Sequence, residues 1–275
     1  MDEDWPKAIT SVSDLVKCFW KPQSIKREAK ARRYADLMDA ETRLEVAKIE
    51  KQIEEVQNNN RANILEKAQK YTKNDTNCSD IDSAWLMNFF DECKNINDEQ
   101  MQEIFASILA GEMDHPGTFS LRTLGVLKML ESKEAESFSK LLKYAVSTGG
   151  RTVIPTHHMP MDVSYSTLMT LEEAGLVKIN ENHFSMKPDD GKFNITYGSL
   201  LGIVEGEPGK GVHLNSIACL TLVGEELYRL GKKNSWFSFD DSFFKDYIKS
   251  LETEKRKVSV HRIESYDGEN TVYEL

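Results

Sequence analysis

A carboxylate, Glu112, and a guanidinium, Arg122, flank a tight turn in the stretch LAGEMDHPGTFSLRTL, residues 109–124. Such a pair could serve as a general acid beside an anion-holding cation. General acid–base chemistry needs a matched partner, however, and no second acid, histidine or nucleophile is placed to support Glu112. The same spacing suits a salt bridge that clasps two helices, and we read the stretch as architecture. Small residues at Ala110 and Gly111 permit close helix approach, and Pro116 and Gly117 supply the fixed and the permissive backbone of the turn. Ser120 can then cap the next helix, which carries Arg122 and Thr123.

Other chemistry-bearing residues are sparser still. His157 and His158 are adjacent, and neighbours in sequence do not make a metal cage; no H-E-x-x-H occurs. Cys18, Cys78, Cys93 and Cys219 lie far apart and form no C-x-x-C, which suggests neither a zinc site nor a disulfide framework and fits a reducing cytoplasm. GEPGKG, residues 206–211, lacks the Ser or Thr and the helix start of a phosphate-binding loop and reads as a wing or hairpin loop. There is no G-x-S-x-G. We therefore expect no catalytic residue, no metal ligand and no cofactor, and a protein that is not an enzyme.

One segment is strongly cationic. Between Lys17 and Arg33 stand seven bases (Lys17, Lys21, Lys26, Arg27, Lys30, Arg32, Arg33) against one acid, Glu28, in a chain of formal charge −10. With Trp20 at its edge and an amphipathic helix before it, the segment could meet phosphates or lie on a lipid surface; the plainer expectation is a docked helix with a solvated basic face. The acidic total excludes wholesale wrapping of nucleic acid. The start, MDEDWPK, is acidic and is not followed by the apolar region of a signal peptide, and no apolar run is long enough to span a bilayer. The expected location is the cytoplasm, with peripheral contact at the inner membrane face as the alternative.

The elements that carry these residues are mostly helical. We expect a mainly α chain with a smaller α+β part, in five segments. Residues 1–27 form an amphipathic helix and the basic segment. Residues 28–72, free of Gly and Pro and rich in Ala, Leu, Glu, Lys and Arg, form a long helical arm. Its apolar stripe (Tyr34, Leu37, Met38, Leu44, Ile49, Ile53, Val56) is thin, as in a helical hairpin or coiled-coil arm, and Asn58, Asn59 and Asn60 favour a bend or a helix-helix turn there. Residues 80–150 form a helical bundle, with Asp82 or Ser83, Asn97, Ser120 and Ser132 as caps. Residues 151–235 follow the order of a winged helix-turn-helix, ending in LTLVGEELYRL. The would-be recognition helix, Ser164 to Ala174, holds Glu172 and Glu173 and no Lys or Arg, so this part suits a protein partner better than DNA. Residues 236–275 form a helix and a β-hairpin turned at Asp267-Gly268.

NINDEQMQEIFASILAGEMDHPGTFSLRTLGVLKMLESKEAESFSKL, with NNNRANILEKAQKY and KPQSIKREAKA upstream, resembles the bacterial family filed as domain of unknown function 2806, from about Lys21 to about Leu230. The order of parts is similar, more distantly, to abortive-infection alpha proteins. The resemblance implies a prophage or antiviral-defence setting and brings no catalytic residue. The expectation is a non-enzymatic interaction protein of phage-defence or mobile-element type, a homo-oligomer that recognises an unidentified protein. The alternatives are a DNA-binding transcriptional regulator and a membrane-surface effector.

Overall fold

The computed structural model describes residues 40–72, 81–159, 164–180, 184–186, 188–214, 217–266 and 271–273. The expected N-terminal helix, the basic residues Lys17, Lys21, Lys26, Arg27, Lys30, Arg32 and Arg33, and Trp20 lie outside them. The fold is α+β, and the chain divides into two compact units, Met1–Lys128 and Met129–Leu275. Among the described residues no helix is long and apolar enough to cross a membrane.

The first unit is helical: α1 (Ala40–Gln69), α2 (Ser83–Cys93), α3 (Glu99–Asp114) and α4 (Leu121–Met129). Asp82 caps α2 by accepting from Trp85 N, as the sequence suggests. Its apolar face (Trp85, Leu86, Phe89, Phe90, Cys93) packs with Ile64, Leu65 and Ala68 of α1 and Phe105, Ile108 and Leu109 of α3 into one core. Phe89 stacks on Trp85 at 5.2 Å between ring centroids and meets Phe105 at 5.8 Å.

Two local expectations are corrected here. α3 is capped by Asp98, whose Oδ1 accepts from Met101 N at 2.9 Å, rather than by Asn97. The Asn58–Asn60 run makes no helix-helix turn; α1 continues through it as helix. Asn60 donates to Lys94 O at 3.0 Å and to Asn97 Oδ1 at 2.7 Å, and Arg61 Nε donates to Phe90 O at 3.1 Å. Amides that would compete with a helix in isolation are instead used to dock it on the α2–α3 turn.

The second unit sets helices against a sheet. In order it has α5 (Ser132–Leu142), β1 (Val146–Thr148), β2 (Arg151–Pro155), a 3-10 turn (Thr156–His158), α6 (Tyr165–Glu173), β3 (Val177–Asn180), β4 (Phe184–Met186), β5 (Lys192–Tyr197) and β6 (Leu200–Glu205). β7 (Val212–Leu214), β8 (Ile217–Leu220), α7 (Leu222–Lys233), α8 (Asp241–Ser250), β9 (Lys257–Tyr266) and β10 (Thr271–Tyr273) complete it. Eight strands pair antiparallel in the order β10-β9-β6-β5-β1-β2-β8-β3, and β4 pairs with β7 in a separate ribbon. The division places α5 with the sheet rather than in the bundle expected over 80–150, and its cap is Glu131 rather than Ser132. Ser147–Gly150, expected as the end of the bundle, instead shapes the β1–β2 hairpin.

β5 alternates, burying Phe193, Ile195 and Tyr197, the mark of a strand with one covered face. β6, paired on both sides, is buried over Leu200–Val204. The C-terminal hairpin completes its own sheet: β9 pairs with β6 from Leu200↔Arg262 to Glu205↔Lys257. Tyr197 ties the layers together, stacking on Phe244 at 5.1 Å, donating its hydroxyl proton to Lys143 O and accepting from Asp240 N at 2.8 Å.

Tyr247 in α8 is buried too, and burial pushes its phenol far up, but its hydroxyl has no hydrogen-bond partner among the described residues. Replacing it by the same ring without the oxygen removes that desolvated group. Tyr247→Phe is expected to raise stability by about 1 kcal/mol, read as a higher midpoint in denaturant unfolding at unchanged slope.

Candidate functional site

Glu112 is 2 % exposed and lies in the last turn of α3, where every residue from Phe105 to Met113 is buried. After it, Gly117 takes φ +84°, which a side chain would strain. That conformation aims backbone donors at the helix end: Gly117 N donates to Glu112 Oε1 at 2.5 Å and Phe119 N to Oε2 at 2.9 Å. Ser120 caps α4, its Oγ accepting from Thr123 N at 3.3 Å, and Thr123 is fully buried. The structure thus brings together Glu112, Pro116, Gly117, Ser120 and Thr123, and leaves Arg122 out. Arg122 is exposed, and no ion pair joins it to Glu112. The expected clasp is replaced by a carboxylate with each oxygen on a backbone N–H, which holds the turn shut.

A serine–histidine pair that sequence separation hides is formed at the end of α8. Ser250 Oγ lies 3.0 Å from His158 Nε2 and donates its own proton to Tyr247 O at 2.6 Å. With the serine proton on that carbonyl, the histidine nitrogen donates to the serine oxygen, the reverse of what activates a nucleophile. Desolvation, with a smaller push from His157, lowers the His158 pKa from its ordinary value. Among the described residues no group of three or more His, Cys, Asp or Glu could hold a metal ion. Burial raises the thiol pKa of Cys93, which is fully enclosed, and of Cys219, so neither is a ready thiolate. In the 206–211 loop, Lys210 is paired with Glu207, and the stretch joins β6 to β7.

Two surfaces stand out among the described residues. The first is on α1. The face that docks through Asn60, Arg61, Ile64 and Ala68 continues toward the N-terminus as a bare apolar stripe: Ile49 is 55 %, Ile53 51 % and Val56 50 % exposed, with Leu44 beside them at 60 %. A polar cleft of about 420 Å³ lies where α1 meets α3. Its side chains already answer one another: Lys67 pairs with Glu99 at 3.5 Å and Glu103 at 3.3 Å, and Gln102 donates to Ile96 O at 2.9 Å. The stripe, by contrast, is covered by none of the described residues.

The second surface is the outer face of α6, where Tyr165 is 58 % and Met169 48 % exposed. Glu172, on the same helix, has a structural use that the sequence did not signal: its Oε1 accepts from Ile179 N at 2.8 Å, closing part of the open edge of β3. A second carboxylate clamp, also unsignalled, joins α7 to β2: Glu225 accepts from Thr152 N at 2.7 Å and from Thr152 Oγ1 at 2.8 Å.

Residues 43–158 match the family model described as Protein of unknown function (DUF2806). It contains most of α1, the Glu112 turn and the start of the sheet. No curated protein and no solved structure matches the chain.

Proposed function

We propose that this chain, with its match to domain of unknown function 2806, is a non-enzymatic interaction protein that self-associates through the exposed half of α1 and receives a protein partner on its winged-helix-like part, residues 151–235. The phage-defence or mobile-element setting implied by the family resemblance belongs to this proposal. The observation that carries it is the apolar stripe Ile49–Ile53–Val56 on a helix whose other half is firmly docked, because surface hydrophobes scattered singly need no explanation and an aligned row does. Against the partner-binding face, α6 offers Tyr165, Met169 and acids and no base, which suits a protein and disfavours phosphate.

The test is sedimentation velocity of the full chain over a concentration series, with the double variant Ile49→Glu, Ile53→Glu beside it. The natural chain is expected to sediment as a concentration-dependent oligomer and the variant as a monomer with unchanged circular dichroism. A natural chain that stays monomeric throughout, or a charged variant that associates as well as the natural one, overturns the proposal.

A further inference from the structure

The side chains that flank the α1 stripe carry orientation as well as stickiness. Thr42, Val46, Ile49, Ile53, Val56 and Asn60 follow one another at spacings of four, three, four, three and four, the alternation of a coiled-coil seam. On that frame Val46 and Ile53 take position a, Ile49 and Val56 position d. Arg43 and Glu50 fall at e, Glu45 and Gln52 at g, and Arg43, Glu45 and Glu50 are exposed. Asn60, the next a position, is already buried against the α2–α3 turn, so the free seam ends there. Its exposed part, residues 43–57, runs about 22 Å along the helix at 1.5 Å per residue.

We infer that the occupant of this seam is the same segment of a second copy, running antiparallel. The inference rests on the self-association proposed above and adds its direction and register. Parallel pairing sets g against e of the next heptad, and Glu45 would then face the partner's Glu50 on both flanks, like charge against like. β-branched residues at d as well as a also disfavour a parallel two-stranded coil. Antiparallel pairing sets e against e and g against g. With the two-fold axis midway between Val46 and Ile49, Val46 packs on the partner's Ile49 and Thr42 on the partner's Ile53, each twice. Arg43 then meets the partner's Glu50 on both sides, and Glu45 meets the neutral Gln52. An antiparallel register centred one half-heptad later would also pack Val46 on the partner's Val56, but it opposes Glu50 to its own copy and sets Arg43 against the neutral Gln57, so charge complementarity selects the first.

A free helix this short would be marginal in water. Here the docked half, from Asn60 to Ala68, holds the free half in helical form, so association does not bear the ordering cost. The contact is small, and its dissociation constant is expected to be roughly micromolar rather than nanomolar.

Charge exchange on the full chain reads the direction. Arg43→Glu and Glu50→Arg each place like charges at both flanks of the antiparallel pair and are expected to weaken association roughly 5- to 20-fold, while the double exchange restores it. In a parallel pair Glu50→Arg would instead meet the partner's Glu45 and strengthen association. That strengthening, or a double exchange no better than the singles, overturns the antiparallel inference while leaving self-association standing. Monomeric natural protein, or association indifferent to every one of these changes and to the Ile49, Ile53 double variant, removes both. All positions are exposed, and equal melting midpoints for the monomeric forms confirm that folding is not what moved.

Discussion

Gly224→Ala is expected to lower the stability of the second unit by about 3 kcal/mol, a fall in melting midpoint of roughly 10 °C. Gly224 sits in the first turn of α7, which leans against the turn that follows α6. A Cβ built there lies 2.2 Å from Leu176 O, a backbone atom with no rotamer through which to escape. The neighbouring contacts tighten the constraint: Thr221 N donates to Leu176 O at 3.1 Å, Thr221 Oγ1 donates to Gly175 O at 2.6 Å, and the same oxygen caps α7 by accepting from Gly224 N at 3.1 Å. To admit a methyl group the helix start must retreat from the turn and strain these bonds. Gly125→Ala is the matched control. Its Cβ meets nothing within 4 Å in the exposed middle of α4, so the change should stabilise by up to about 1 kcal/mol. Thermal melts of the two variants should therefore move in opposite directions. Similar small shifts in both would show that helix propensity, and not the Leu176 contact, sets the outcome.

The T-x-x-G of that helix start is legible in the sequence as a pattern, but its reason is not, because Leu176 lies across a strand-and-loop excursion that no local rule measures. The same divide runs through the molecule. Periodicity and capping chemistry place α2, α3, α4 and α7 well, since a helix writes its buried face into every third and fourth residue. Where two polar residues adjoin, as Asn97 and Asp98 do, either can cap, and the geometry of the incoming loop decides between them. Asn58–Asn60 reads as a break because an amide competes with its own backbone locally; Lys94 O and Asn97, more than thirty residues away, turn that liability into a dock. The sheet is the least legible part. β9 finds β6 across a span holding β7, β8 and two helices, and such non-local pairing leaves no trace in the spacing of either strand.

The candidate surfaces divide in the same way. Ile49, Ile53 and Val56 are visible as a thin stripe from sequence alone, because exposure along a helix preserves periodicity. Val46 joins them only once the seam is traced back at alternating spacing from Asn60, whose burial fixes where it must end. The acids of α6 are visible as charge, yet Glu172 is engaged with Ile179 N, so a count of charges overstates what that helix presents to a partner.

Glu112→Ala is expected to cost the first unit about 3 kcal/mol, and Arg122→Ala to change it by less than about 0.5 kcal/mol. The carboxylate accepts two backbone N–H groups at the mouth of a turn that contains a left-handed glycine, and its removal leaves the Phe119 N–H buried beside a void with no acceptor. Glu112→Gln separates charge from shape. The amide keeps one acceptor oxygen and presents an NH₂ to the other donor, so it is expected to cost between 1 and 2 kcal/mol, roughly half the alanine loss. Amide hydrogen exchange locates the effect: the Gly117 and Phe119 amides should exchange faster in both Glu112 variants, while amides in the middle of α2 keep their order of protection. If Arg122→Ala matched Glu112→Ala in cost, the salt-bridge clasp first suggested by the Glu112–Arg122 spacing would be the working contact in solution, and the turn would be held by charge rather than by its own backbone.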